Sequence, residues 1–373
     1  MTGPRYTDLV ASLPATVPFV GPEEIQRGRG APFAARLGAN ENVFGPSPRA
    51  IDAMQAAAAE CWMYGDPTSH DLRSALAERL DCGLGNLVVG EGIDALLGYL
   101  VRLVVAQGDR VVTSLGAYPT FNYHVAGFGG QLETVPYTGD AEDIDALVDR
   151  AAATGARLVY LANPDNPMAS WIPGQTIAAA LDRLPADCLL VLDEAYVEFA
   201  PDAALVPLPL DDPRLVRMRT FSKAHGMAGA RIGYAIGAEG LIAAFDKVRN
   251  HFGVNRIAQA GALAALQDDA WLARTRAAVE AARDGISAIA RANGLVPLGS
   301  ATNFVTIDCG GTGDLSRRIL AELAGQGIFA RMPFVAPHDR CIRISCGTEA
   351  HLALLDTALP RALQAARSAP VTA

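Results

Sequence analysis

Paired cysteines, basic clusters and long apolar runs are all scarce in this chain of 373 residues, and each scarcity narrows what it can do. The six cysteines, Cys61, Cys82, Cys188, Cys309, Cys341 and Cys346, contain no C-x-x-C pair and no zinc-like spacing. Reduced thiols, no metal site and a cytoplasmic location are the expectation. No basic block breaks the formal net charge of −9, so neither nucleic acid nor an anionic membrane is expected as a partner. The most apolar helical stretch, Ile93 to Ala106, is too short to cross a bilayer and carries Asp94 and Arg102, so it reads as a buried helix. The opening MTGPRYTDLVASLPATVPF has no basic segment followed by an apolar run, and no signal peptide is expected. Internal repeats and low-complexity linkers are lacking as well.

What is present is a foldable, apolar chain. Hydrophobic residues make up 50% and charged residues 19%, enough for a large core. At about 100–200 residues per domain, two or three domains are expected. Residues 1–47 are rich in Pro and Gly and read as an extended arm joining a small domain. From 48 to 257, apolar strands alternate with helices. The strands are expected at Arg110–Leu115, Leu132–Tyr137, Arg157–Ala162, Leu189–Leu192, Leu215–Arg219 and Arg231–Ile236. Such alternation indicates an α/β domain with a mostly parallel central sheet and helices on both faces. From 258 to 373 the texture changes to a smaller α+β domain: a long Ala-rich helical stretch over roughly Gln259–Asn293, strands at Asn303–Asp308 and Cys341–Ser345, and helices at Asp314–Gln326 and from Glu349.

The chemistry concentrates where strands end. Thr220-Phe221-Ser222-Lys223 follows one strand, and Arg231 opens the next. Another strand ends in Asp193-Glu194-Ala195-Tyr196, and a third in Asn163-Pro164-Asp165-Asn166-Pro167. In a parallel sheet the carboxyl ends of strands meet at one edge, where ligands bind. A lysine amine condenses with an aldehyde cofactor, and an aspartate beside a ring nitrogen keeps it protonated, making the ring an electron sink. Thr220, Ser222 and Arg231 suit a phosphate. Two Asn-Pro steps force an extended turn, from which Asn166 can donate to a ring oxygen.

Together these segments resemble the fold-type I pyridoxal-phosphate-dependent aminotransferases of class I/II, and most closely the histidinol-phosphate aminotransferase family. LGANENVFGPSP, WMYGDP at 62–67, VGEGIDAL, YPTF, NPDNP, DEAYVEF, RTFSKAHGMAGARIGY and CIRISCGT carry the resemblance over nearly the whole chain. It implies pyridoxal 5'-phosphate held covalently by Lys223, with Asp193 on the pyridine nitrogen, Tyr196 and Asn166 at the ring oxygen and Phe121 stacked on the ring. It implies a phosphate held by Thr220, Ser222, Arg231 and the amides of Gly92, Ile93 and Asp94 at a helix start. Tyr64 is similar to a tyrosine that reaches the partner subunit's site, which implies a homodimer. Arg343 and Arg331 are similar to arginines that bind the substrate's anionic group. The implied reaction moves an amino group from histidinol phosphate, or an aromatic or other amino acid, to a 2-oxo acid such as 2-oxoglutarate. The chain departs from the family pattern at Ile93, Ala95, Phe121 and Met168-Ala169-Ser170.

Rival readings exist. A decarboxylase of the threonine-phosphate type uses the same scaffold. GEGIDA at 90–95 matches the dinucleotide fingerprint of a nicotinamide dehydrogenase, with Asp109 beyond it. A transcription regulator on this fold needs a DNA-binding domain, for which the 49-residue leader has no room or basic helix. His70 reads as a helix start, His124 as a residue near Phe121 and His225 as a neighbour of Lys223, none with an assigned role.

Overall fold

The computed structural model describes residues 3, 5–15, 20–205 and 209–368. The outer ends of the expected N-terminal arm and of the C-terminal domain lie outside the described residues.

Seven strands form the main sheet: β1 (Leu87–Gly90), β2 (Arg110–Ser114), β3 (Gln131–Val135), β4 (Leu158–Ala162), β5 (Leu189–Asp193), β6 (Leu215–Thr220) and β7 (Gly233–Gly237). Their order is β1-β7-β6-β5-β4-β2-β3. All neighbours are parallel except β7, which runs antiparallel to both β6 and β1. The six strands read from the sequence form with ends shifted by a few residues. β1 was not foreseen, because four residues give too little periodicity to register. β7 starts later than expected because Arg231 adopts a left-handed conformation, φ 55°, which ends extended structure there.

β4 and β5, in the middle of the sheet, are buried throughout and almost wholly apolar because both faces are covered. Tyr160, Val191, Val216 and Met218 point to one side, against Leu96, Leu97, Leu100 and Val101 of the helix Ile93–Val104. Val159, Leu161, Leu190 and Leu192 point to the other, against Leu147 and Val148 of Ile144–Thr154 and Ile177 and Leu181 of Gly174–Arg183. Each such side chain taken fully from water contributes roughly 1.5–3 kcal/mol. The helix Ile93–Val104 is therefore a core element, as its composition suggested.

A second, three-stranded antiparallel sheet comprises β8 (Val296–Pro297), β9 (Phe304–Asp308) and β10 (Cys341–Ser345), with β9 central. Helices Asp269–Ala292, Gly313–Gly325 and Glu349–Ser368 pack over it. The expected helical stretch Gln259–Asn293 forms two helices, Arg256–Leu266 and Asp269–Ala292. The break has a local cause: the Asp268 carboxylate accepts from Trp271 N–H at 3.2 Å and caps the second helix. The first helix buries Ala258, Ala262 and Leu266 against Leu72, Leu87 and Phe221 of the large sheet's unit. The residue at which the smaller domain is expected to begin, 258, falls inside this helix. The N-terminal segment is less extended than expected, with helices Asp8–Ser12 and Pro22–Arg29. Ala35–Arg36 then pairs with Ile328–Phe329, and Leu37 enters the small unit's core.

Candidate active site

Strand direction decides which residues meet. β4, β5 and β6 end at one edge, delivering Asn163–Pro167, Asp193–Tyr196 and Thr220–Lys223 there. Because β7 is antiparallel, its start lies at that same edge, with Thr220 and Gly90 both opposite Gly233. Arg231, shortly after Lys223 in the chain, and Gly92, far from it in sequence, are brought to the same edge by that register. The edge opens into a cavity of about 310 Å³, within the size range of small-molecule sites.

Lys223 stands at its centre. The ring of Phe221, wholly buried, anchors the turn by packing on Tyr234 and His225. Lys223 Nζ donates to Asn40 O at 3.1 Å and lies 5.6 Å from the Tyr196 ring centre. Burial, helped by the nearby Arg343 and Arg231 guanidinium groups, pushes its amine down to about 8. Asp193 is buried, and burial pushes its carboxyl up to about 6. Its two oxygens accept from Tyr160 O–H at 2.8 Å and Ala195 N–H at 2.9 Å, fixing its orientation.

At one end of the cavity, Ile93 and Asp94 open the helix Ile93–Val104, whose first amides lack intrahelical partners. Gly92 precedes them with φ 89°, a conformation that favours glycine, and a Cβ there would lie 2.5 Å from Arg231 Nη2. Ser222 Oγ accepts from Thr220 Oγ1 at 2.9 Å and from Arg231 Nη1 at 3.4 Å, which leaves its own proton to donate elsewhere. At the other end, Arg343 donates through Nη1 to Asn166 Oδ1 and through Nη2 to Gly38 O at 3.2 Å. Arg343 Nε is buried with no acceptor among the described residues. Arg331 is bridged to Arg343 through both backbones and lines the cavity beside it. The Tyr196 hydroxyl oxygen accepts from Asn40 Nδ2 at 2.9 Å, and burial pushes its pKa up, keeping it protonated.

The cavity thus gathers Lys223, Asp193, Tyr196, Asn166, Thr220, Ser222, Arg231, Ile93, Asp94, Arg331 and Arg343, with Gly92 under Arg231. Two expected members stand apart. Phe121 is wholly buried and stacks on Tyr160 at 4.6 Å; it does not line the cavity. Helix geometry is the reason: the helix Pro119–Gly127 turns Phe121 into the core, and Tyr118 at its cap lines the cavity instead. Tyr64 is 78% exposed, packs on Phe252 at 4.9 Å and lies outside this chain's own cavity.

Sequence reasoning missed Tyr160 and Asn40. A hydroxyl in an otherwise apolar strand demands a buried partner, which was a usable sign for Tyr160. Asn40 is buried at φ 54° and is held by Ser345, and nothing local marked it. The histidines find ordinary partners: His124 Nε2 sits 3.0 Å from Asp94 Oδ1, and His225 packs on Phe221. His70 opens its helix, as read. The dinucleotide reading of GEGIDA fails on topology. β1 is an edge strand paired only with antiparallel β7, not the parallel βαβ start that such a site needs.

Fold and site together define an α/β enzyme scaffold whose cavity holds Lys223 between Arg231 and the pair Arg331 and Arg343. The family model for aminotransferase class I and II matches residues 35–359. The chain is 36% identical over 342 residues to the histidinol-phosphate aminotransferase of Anaeromyxobacter sp. (strain Fw109-5), covering 91% of this chain and 93% of that one. It is 33% identical over 354 residues to the aromatic amino acid aminotransferase of Mycolicibacterium paratuberculosis (strain ATCC BAA-968 / K-10), covering 92% and 97%. The crystal structure of histidinol-phosphate aminotransferase from Sinorhizobium meliloti in complex with pyridoxal-5'-phosphate superposes with a TM-score of 0.94 at 52% identity, covering 97% and 98%. The chain belongs to the aminotransferase class I and II family, a family of pyridoxal-phosphate-dependent enzymes.

Proposed function

We propose that this aminotransferase uses Lys223 to hold pyridoxal phosphate and takes histidinol phosphate as amino donor and 2-oxoglutarate as acceptor. The carrying observation is that Lys223, Asp193 and Arg231 line one cavity with Arg331 and Arg343 at its far side. The residues fit the cofactor. The close approach of Arg231 over Gly92, the free amides of Ile93 and Asp94 and the spare Ser222 proton make a phosphate cradle. The Asp193 carboxyl is oriented for a ring nitrogen, and Tyr196 and Asn166 for a ring oxygen. Tyr118 replaces Phe121 as the aromatic wall. When bound, the cofactor supplies an aldehyde that condenses with amines and a ring that takes up the electron pair left when a proton departs the adjacent carbon.

The chain's own groups do the rest. Lys223 Nζ, with its lowered proton affinity, takes the proton from the substrate's α carbon and would deliver it to the carbon of the cofactor that had carried the aldehyde. Asp193, as a carboxylate, keeps the ring nitrogen protonated. Arg343 and Arg331 bind the carboxylate or phosphate of each substrate in turn. In our reading the enzyme is a homodimer, with the exposed Tyr64 entering the partner's phosphate site. It works in the cytoplasm, in keeping with six free thiols. We further read the chain as an N-terminal arm, a large cofactor-binding domain and a small C-terminal domain, with the helix break at Gln267-Asp268 supporting a division near there.

The second reading, an aromatic amino acid as donor, is supported by the mycobacterial relative. Purified enzyme given each donor with 2-oxoglutarate decides between them by glutamate formed. A higher kcat/KM for histidinol phosphate supports the proposal, and a higher value for an aromatic amino acid replaces it. Carbon dioxide without glutamate would make the chain a decarboxylase instead.

A further inference from the structure

The segment from Arg331 to Arg340 belongs to the unit built on β8–β10, yet its far end is fastened to the other unit. Arg340 bridges two carboxylates: Nε donates to Asp308 Oδ2 and Nη2 to Asp140 Oδ1, both at 2.7 Å. Asp308 ends β9 in the same unit, whereas Asp140 lies in the connection after β3 of the large sheet. Beside this pair, His338 Nε2 lies 3.0 Å from Gly139 O, and the His338 ring packs 4.8 Å from that of Tyr137. Tyr137 donates to Asp165 Oδ1 at 3.1 Å, in the turn that carries Asn166. Midway, Val335 sits against Gly116, where an added Cβ would lie 3.2 Å from Val335 Cβ. Between the β10 bridge and these anchors, Arg331, Met332, Pro333 and Phe334 line the cavity.

The two bonds of Arg340 differ in consequence. The one to Asp308 stays within the small unit and cannot set where the segment stands over the cavity. The one to Asp140 crosses the junction and can. Asp308 is largely shielded and Asp140 is about two-thirds shielded, and both bonds to the guanidinium are charge-assisted. We propose that Arg340, acting through Asp140, is a positioning residue that docks the substrate-side segment across the domain junction and so holds Arg331 over the cavity. The inference rests on the reading of Arg331 as a substrate arginine.

The test compares Asp140→Asn, Asp308→Asn and Arg331→Gln in the cofactor-loaded enzyme, with kcat and KM for 2-oxoglutarate, cofactor absorbance and Tm as readouts. Misplacement of a binding group raises KM, so Asp140→Asn should raise it about tenfold with kcat within about twofold. Cofactor absorbance and Tm should match those of the parent, and Asp308→Asn should leave KM within about twofold. An unchanged KM in Asp140→Asn, with a raised KM in Arg331→Gln, overturns the docking role alone. Equal KM rises in Asp140→Asn and Asp308→Asn overturn it too, because the effect is then internal to the small unit. An unchanged KM in Arg331→Gln overturns the substrate reading beneath it.

Discussion

Lys223→Met tests the electrostatics of the site without any substrate. Methionine keeps the length of the side chain and removes its charge. In the folded chain the Lys223 amine sits at about 8 instead of its ordinary 10.5, chiefly because burial disfavours the ammonium form. At about 1.4 kcal/mol per pH unit, that fall corresponds to about 3 kcal/mol of stability. The figure is an upper bound, since Lys223 keeps some contact with water. Below pH 8 both folded and unfolded chains carry the proton, and the fold bears the whole cost of the buried charge. Between 8 and 10.5 the folded chain sheds the proton while the unfolded chain keeps it, so stability rises with pH. Little offsets the gain in the variant. Asn40 O, which loses the Lys223 donor, still accepts from Asn303 Nδ2 at 3.1 Å. Cofactor-free Lys223→Met should therefore be more stable than its parent at pH 7 by up to about 3 kcal/mol, with the gap closing toward pH 10. Urea unfolding of both proteins at several pH values measures it. A gap that does not vary with pH, or a parent that is the more stable at pH 7, refutes the reasoning.

Four further outcomes follow from the site. Borohydride reduction of the cofactor-loaded enzyme should fix the cofactor on Lys223; the only other lysine is Lys247, so peptide mapping is unambiguous, and a label there would refute the assignment. Asp193→Asn should lower kcat by about a hundredfold to a thousandfold while the cofactor is still retained in gel filtration. Arg343→Gln should raise KM for 2-oxoglutarate about tenfold to a hundredfold, because a buried charge-assisted pair is lost, and initial-rate kinetics will show it. Tyr64→Ala mixed with Lys223→Ala should recover about a quarter of parental activity, since hybrid dimers contain one complete site; no recovery would argue against a shared site.

The strands and most helices were legible because their signals are local. β2, β4, β5 and β6 hold apolar runs bounded by turn residues, and the helices between them carry a clear apolar face. The lysine, the aspartate and the arginine were legible because each follows or precedes such a run. β1 and the break at Gln267-Asp268 were less so. One is held by pairing with β7 and the other by a single capping carboxylate, neither of which leaves a periodic trace.

The amino-acid sequence by itself determined the alternation of elements, the place of Lys223, Asp193 and Arg231 at strand ends and the family the chain belongs to, because residue type and order suffice for those. Only the tertiary structure decided that Tyr118 and not Phe121 faces the cavity, that Tyr160 and Asn40 orient Asp193 and Tyr196, and that Arg340 reaches Asp140. Those facts depend on the direction a side chain leaves its helix or strand and on which distant segments strand order brings together. Both are properties of packing in three dimensions and are not written at any one position of the chain.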